Sequence, residues 1–79
     1  MKMIVLMKLL SKESEYVVYS YGNDEDYLDG QIKLSLKNPN KYEVLKESKI
    51  GKIGTLRAIS KLQKAIRDSD IKEKISYQS

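Results

Sequence analysis

The longest stretch with helical spacing covers residues 54–68. Leu56, Ile59, Leu62 and Ile66 recur at intervals of three and four, and Ala58 and Ala65 widen the apolar stripe. Arg57, Lys61, Lys64 and Arg67 fall on the other side. This spacing predicts one amphipathic helix. Thr55 is the expected N-cap, since its hydroxyl suits the free N–H groups of a first turn. Asp68-Ser69-Asp70 closes the helix, because continuing it would carry Ile71 and Ile75 off the stripe.

The segments before the helix read mostly as strands. Residues 3–10 are a nearly unbroken apolar run, which a buried strand or a short helix would satisfy; the length and the Ile4-Val5 pair favour a strand. Residues 15–21 are rich in tyrosine and valine and predict a strand, with Val17, Tyr19 and Tyr21 on one face and Tyr16 and Val18 on the other. Both faces are partly apolar, as in a central strand. Residues 22–26 form a loop on composition. Across residues 28–37, Leu28, Ile32, Leu34 and Leu36 alternate with Gln31, Lys33, Ser35 and Lys37, the pattern of a half-buried antiparallel strand. Asp29-Gly30 is either a bulge in that strand or its true start.

Asn38-Pro39-Asn40-Lys41 is a turn signal. Residues 42–47 then return as a hairpin partner, with Tyr42 and Val44 on one side. The competing reading is a capping box, Asn40 with Glu43, opening a short helix. Residues 48–53 read as a connector. At the end of the chain Ile71, Ile75 and Tyr77 alternate, which favours a last strand near residues 74–78 over one more helical turn capped by Asp70 and Glu73. The expected fold is α+β: one domain over residues 1–79, an antiparallel meander of three to five strands with one helix across a face. The helix stripe is expected to pack on Ile32, Leu34 and Leu36.

Composition narrows the chemistry. A chain of 79 residues makes one small core. It has no cysteine and no histidine, so disulfides, thiolate chemistry and imidazole catalysis are excluded. It has neither Phe nor Trp, so six tyrosines supply the aromatic bulk. The apolar amino-terminal run is shorter than the ~20 residues a membrane span takes. It also lacks a small-residue cleavage site. A cytoplasmic protein without membrane insertion is expected.

The net charge of +4 is unevenly spread. Residues 1–30 carry three basic and six acidic side chains, net −3, whereas residues 31–67 carry ten basic and two acidic, net +8. Such asymmetry attracts an anionic partner or a second copy placed head to tail.

Three local patterns bear on function. The acidic run Asn23-Asp24-Glu25-Asp26, with Asp29-Gly30, fits a calcium loop poorly: Leu28 stands at the fifth position and no closing Glu follows. A solvated turn is expected there, and neither metal nor cofactor. Ile50-Gly51-Lys52-Ile53-Gly54 resembles the Ile-Gly-x-x-Gly loop of KH domains, whose backbone clamps nucleic-acid phosphates ahead of a helix. KH domains place a helix before that loop, where a strand is predicted here, and an Ile where Arg57 stands. It is not a Walker loop, since Ile53 follows Gly51-Lys52 in place of Ser or Thr. The resemblance implies nucleic-acid contacts by Gly51, Lys52 and Gly54, which the basic helix residues Arg57, Lys61 and Lys64 would extend. Lys33 and Lys37 form a second basic strip on the opposite side.

On a wider scale, the order Tyr-Val-Val-Tyr-Ser-Tyr-Gly, Leu-Asp-Gly-Gln-Ile, Tyr-Glu-Val-Leu-Lys, a helix, and Ile-Lys-Glu-Lys-Ile-Ser-Tyr resembles small uncharacterised proteins of Gram-positive bacteria with a strand–strand–strand–helix–strand layout. The resemblance implies a bacterial origin, supports the strand readings of residues 42–47 and 74–77, and brings no activity with it.

With no catalytic set in view, the expected function is a small non-catalytic interaction module that self-associates or binds a protein partner. A two-faced apolar sheet with one helix leaves a face to cover, and Tyr16, Val18, Tyr19 and Tyr21 are the expected contact residues. Nucleic-acid binding through the basic helix face and the glycine loop is the alternative.

Overall fold

A computed structural model describes residues 3–78. β1 (Ile4–Lys12), β2 (Tyr16–Gly22), β3 (Gly30–Ser35) and β4 (Tyr42–Lys46) run as a meander. α1 (Gly51–Arg67) then crosses one face and returns the chain to the far side of β1, where β5 (Lys74–Gln78) completes the order β4-β3-β2-β1-β5. Every neighbouring pair is antiparallel. The chain is therefore α+β, as the periodicity predicts, with all five strands present.

Alternation decides the buried face. Val5 and Met7 of β1, Val17, Tyr19 and Tyr21 of β2, and Ile32 and Leu34 of β3 point to the helix side, where they meet Ala58, Ile59 and Leu62. Each fully buried Leu, Ile or Met contributes about 1.5–3 kcal/mol. The two buried tyrosines keep their polar tips paired, as burial requires. Tyr19 donates its hydroxyl to the Lys72 carbonyl, and Tyr21 shares a 2.7 Å hydrogen bond with Thr55. Burial pushes the Tyr19 phenol up to about 12. Leu10 and Leu45 stand at shifts in the pairing register, one in β1 and one in β4, and both are exposed. An extra residue at a bulge loses its opposite partner, which leaves these leucines outside the regular alternation.

The structure settles the readings left open and corrects others. The strand after the acidic loop begins at Gly30, so Asp29-Gly30 marks its start and Leu28 precedes it. The helix begins at Gly51, inside the expected connector, and its N-cap is Ile50, with no side-chain cap. Thr55 lies within the helix, where its hydroxyl donates to the Gly51 carbonyl at 3.1 Å. Leu56, assigned to the core stripe, is 51% exposed. The helix lies closest to β1, β5 and β2 instead of centring on β3, although Ile32, Leu34 and Leu36 belong to the same apolar cluster. Residues 42–46 form a strand, and Asn40 serves the turn by donating its backbone N–H to the Asn38 side chain at 3.2 Å.

The helix C-terminus closes with a Schellman arrangement. Ser69 N–H donates to the Ile66 carbonyl at 3.1 Å and Asp70 N–H to the Ala65 carbonyl at 2.9 Å. Ser69 takes φ +54°, a left-handed position that glycine usually holds.

Candidate interaction site

The amino-terminal end of α1 is held by partners distant in sequence. Asp29, at the mouth of β3, accepts from the Ser48 hydroxyl and from Lys49 N–H, the latter at 3.0 Å. These bonds hold the Asp29 carboxyl below the usual carboxylate range, with the Ser48 contact contributing most. Ser48 N–H donates to the Tyr21 hydroxyl at 3.3 Å, and Ile50 N–H donates to the Ser48 hydroxyl at 3.3 Å. A backbone turn from Ser48 to Gly51 follows, and Gly51 adopts φ +89°, which side-chain-bearing residues rarely take.

Tyr21 reaches this cluster by lying flat over Gly30, its cross-strand neighbour. A Cβ at Gly30 would stand 2.3 Å from the Tyr21 ring. The glycine leaves room for the ring, the ring carries its hydroxyl to Thr55 and Ser48, and those contacts fix the start of the helix.

Where α1 leans toward β1 and β5, it leaves its other flank open above β4. A groove of about 390 Å³ runs there, walled by Tyr42 and Val44 of β4 and by Leu56 and Ile59 of α1. Glu47 and Lys52 bring opposite charges to its lining, and Ser48 and Thr55 connect it to the polar cluster. Tyr42 is 45% exposed, and Ile53, one turn before Leu56, is 62% exposed. Helix geometry explains the opening. A helix about 10 Å across covers two or three strands spaced about 4.8 Å apart, so one helix cannot cover five.

The residues singled out from the sequence are distributed unevenly. Tyr19 and Tyr21 are 1% and 0% exposed beneath the helix, which corrects their assignment to a contact surface. Tyr16 and Val18 lie on the opposite, uncovered sheet face and are half-buried, with Lys33 Nζ 4.3 Å from the centre of the Tyr16 ring. Of the nucleic-acid set, Gly51, Lys52, Arg57, Lys61 and Lys64 are exposed, but Gly54 is buried, with Ile50 packed where its Cβ would be. Gly51 to Gly54 form the first turn of α1, and a strand precedes them. Lys61 and Arg57 lie on the β5 flank of the helix, where Arg57 approaches the Tyr77 ring at 5.9 Å.

The acidic loop is folded on its own carboxylate. Asp24 accepts from Asp26 N–H at 3.0 Å, and Glu25 pairs with Lys74 of β5 at 3.1 Å. Among the described residues no three His, Cys, Asp or Glu side chains come together to hold a metal. No helix among them is long and apolar enough to cross a membrane.

The sequence did not single out Tyr42, Ile53 and Leu56 as surface residues. The available signal was the surplus of apolar positions on the helix, since Ile53 and Leu56 exceed what Ala58, Ile59, Leu62 and Ile66 need to seat it on one sheet. In comparisons with known proteins, no family model matches the chain, and neither a curated protein nor a solved structure is significantly similar to it.

Proposed function

We propose that this chain is a small non-catalytic interaction module that pairs with a second copy of itself through the α1–β4 groove. One observation carries the reading: the groove wall is also a projecting apolar ridge. Leu56 lines the groove although it is half exposed, Tyr42 faces it from β4, and Ile53, one turn before Leu56, adds a second exposed apolar side chain to the helix. A two-fold contact needs a patch that carries both the knob and the hole, because the same surface meets itself. Leu56 of one copy entering the groove of the other, and the reverse, meets that requirement.

Charge agrees with the same arrangement. Glu47 and Lys52 line one groove. A two-fold axis that passes between them sets each against the opposite sign on the other copy, and in that arrangement the rim adds register. A specific interface takes about 800 Å² per partner. That is roughly a seventh of the 5387 Å² surface, so the contact has to reach beyond the groove lining along α1 and β4.

The experiment is a concentration series of amide spectra by NMR. Dilution should move the resonances of Tyr42, Val44, Lys52, Ile53 and Leu56. Shifts confined to Tyr16, Val18 and Lys33 would place association on the opposite sheet face and reject the groove.

A further inference from the structure

We propose that the outer edge of β5 takes up an extended acidic peptide as a sixth strand. This surface lies on the other flank of α1 from the groove above. The β1–β5 ladder fixes which backbone groups are free. Leu9 N–H donates to the Glu73 carbonyl at 2.7 Å, and the register runs without a shift through Met7 opposite Ile75 and Val5 opposite Tyr77. Bonded pairs alternate along an antiparallel ladder. Ile75 and Tyr77 therefore turn their backbone groups to β1, while Lys74, Ser76 and Gln78 turn theirs away from the sheet.

The other edge is less receptive. β4 carries the register shift at Leu45, and bulges and charged side chains are devices that blunt an edge. β5 has no such break.

The flank beside β5 is basic on balance. A shallow groove of about 280 Å³ is lined by Arg57, Ser60, Lys61 and Lys64 of the helix and by Tyr77 and Gln78, with no carboxylate among these lining residues. The adjoining groove beside Lys74 to Ser76 sets Lys61, Lys64, Lys72 and Lys74 against Asp68 and Asp70. Lys64 also pairs with Asp68 at 3.1 Å, and Lys74 with Glu25 at 3.1 Å. Both pairs are exposed, and exposed pairs are weak, so an incoming carboxylate can displace them. Along the helix Arg57, Lys61 and Lys64 rise in steps of about 6 and 4.5 Å. Alternate residues of a strand are about 6.8 Å apart, so three helix-side carboxylates of an added strand span about 3 Å more than the three cations, a difference that long Arg and Lys side chains can bridge.

The same row disfavours a second copy of β5, since a two-fold pairing would align two rows of Arg57, Lys61 and Lys64. A nucleic-acid strand supplies charge but no backbone N–H donors for the outward carbonyls. A peptide strand supplies both, which is how edge strands recruit partners.

The test uses fluorescence anisotropy at low salt with labelled acetyl-Thr-Glu-Val-Glu-Val-Glu-Thr-amide. Three further probes are a Lys-for-Glu version, the Glu peptide N-methylated on alternate amides, and a twelve-nucleotide oligo-dT. The Glu peptide should bind and the Lys version should not. N-methylation, which removes donors and keeps every charge, should weaken binding by about tenfold or more, as expected for losing several hydrogen bonds. Lys61→Glu with Lys64→Glu should weaken it similarly. So should Ser76→Pro, which removes an outward N–H and no bond to β1. The proposal is overturned if the Glu peptide does not bind, if its N-methylated form binds equally well, or if oligo-dT binds more tightly and is indifferent to Ser76→Pro.

Discussion

Replacing Gly30 with alanine tests whether the Tyr21 ring organises the start of the helix. An alanine Cβ would stand 2.3 Å from Tyr21 Cε1, 2.5 Å from Cζ and 2.7 Å from Cδ1. Ordinary contact begins near 3.4 Å, so the ring must withdraw by about 1 Å. That motion strains the bond to Thr55 at 2.7 Å and the bond from Ser48 N–H at 3.3 Å. Overpacking of this kind costs about 1–3 kcal/mol. A weakened buried hydrogen bond adds about 1 kcal/mol. The reduced freedom of the unfolded chain returns about 0.4–1 kcal/mol. The net expectation is a loss of about 2 kcal/mol, against a total of roughly 4–12 kcal/mol for a chain of this length. Urea unfolding followed by circular dichroism measures it directly. Gly30→Ala should also be nearly silent in a Tyr21→Leu background, because the clash partner is gone. A Gly30→Ala protein within about 0.5 kcal/mol of the parent, or an equal loss in both backgrounds, would mean that the Tyr21 ring does not organise the start of the helix.

Further outcomes follow from the ends of the helix. Asp29 has a lowered pKa in the folded chain, so its contribution is present above the ordinary value of 3.8 and is lost as pH falls through the lower, folded value. Acid titration of stability should therefore steepen below about pH 4. Asp29→Asn should flatten that part of the curve, and an unchanged acid limb would remove Asp29 from the helix start. Ser69→Gly should raise stability by about 0.5–1 kcal/mol by relieving the left-handed residue in the helix cap. Thermal unfolding reads that gain as a rise of about 2–8 °C, and a fall would contradict the cap geometry.

Periodicity carried most of the fold. The alternation of Ile32 and Leu34 with Lys33 and Ser35 is that of β3, and the tyrosine-rich segment sits at the centre of the sheet as its two apolar faces require. The helix start was not legible because its partners are not local. No Ser, Thr, Asp or Asn caps it; Asp29 instead holds Ser48 and Lys49 from twenty residues away. Thr55 looked like a cap because its hydroxyl is suited to one, but it answers Tyr21 from within the helix. Leu56 looked like core because spacing fixes a stripe and not the place where the helix axis rests. Which tyrosines are exposed depends on the face that α1 covers, and α1 covers the face of Tyr19 and Tyr21.

Self-pairing is read from solution mass by multi-angle light scattering, on the parent chain and on Leu56→Glu. Self-pairing gives a parent at twice the 9.1 kDa chain mass; Leu56→Glu should be a folded monomer, since it removes the apolar knob and puts a charge that resists burial in its place. A parent that stays at the single-chain mass at high concentration would rule out self-pairing, and a Leu56→Glu protein that remains a dimer would rule out the α1–β4 groove as its surface.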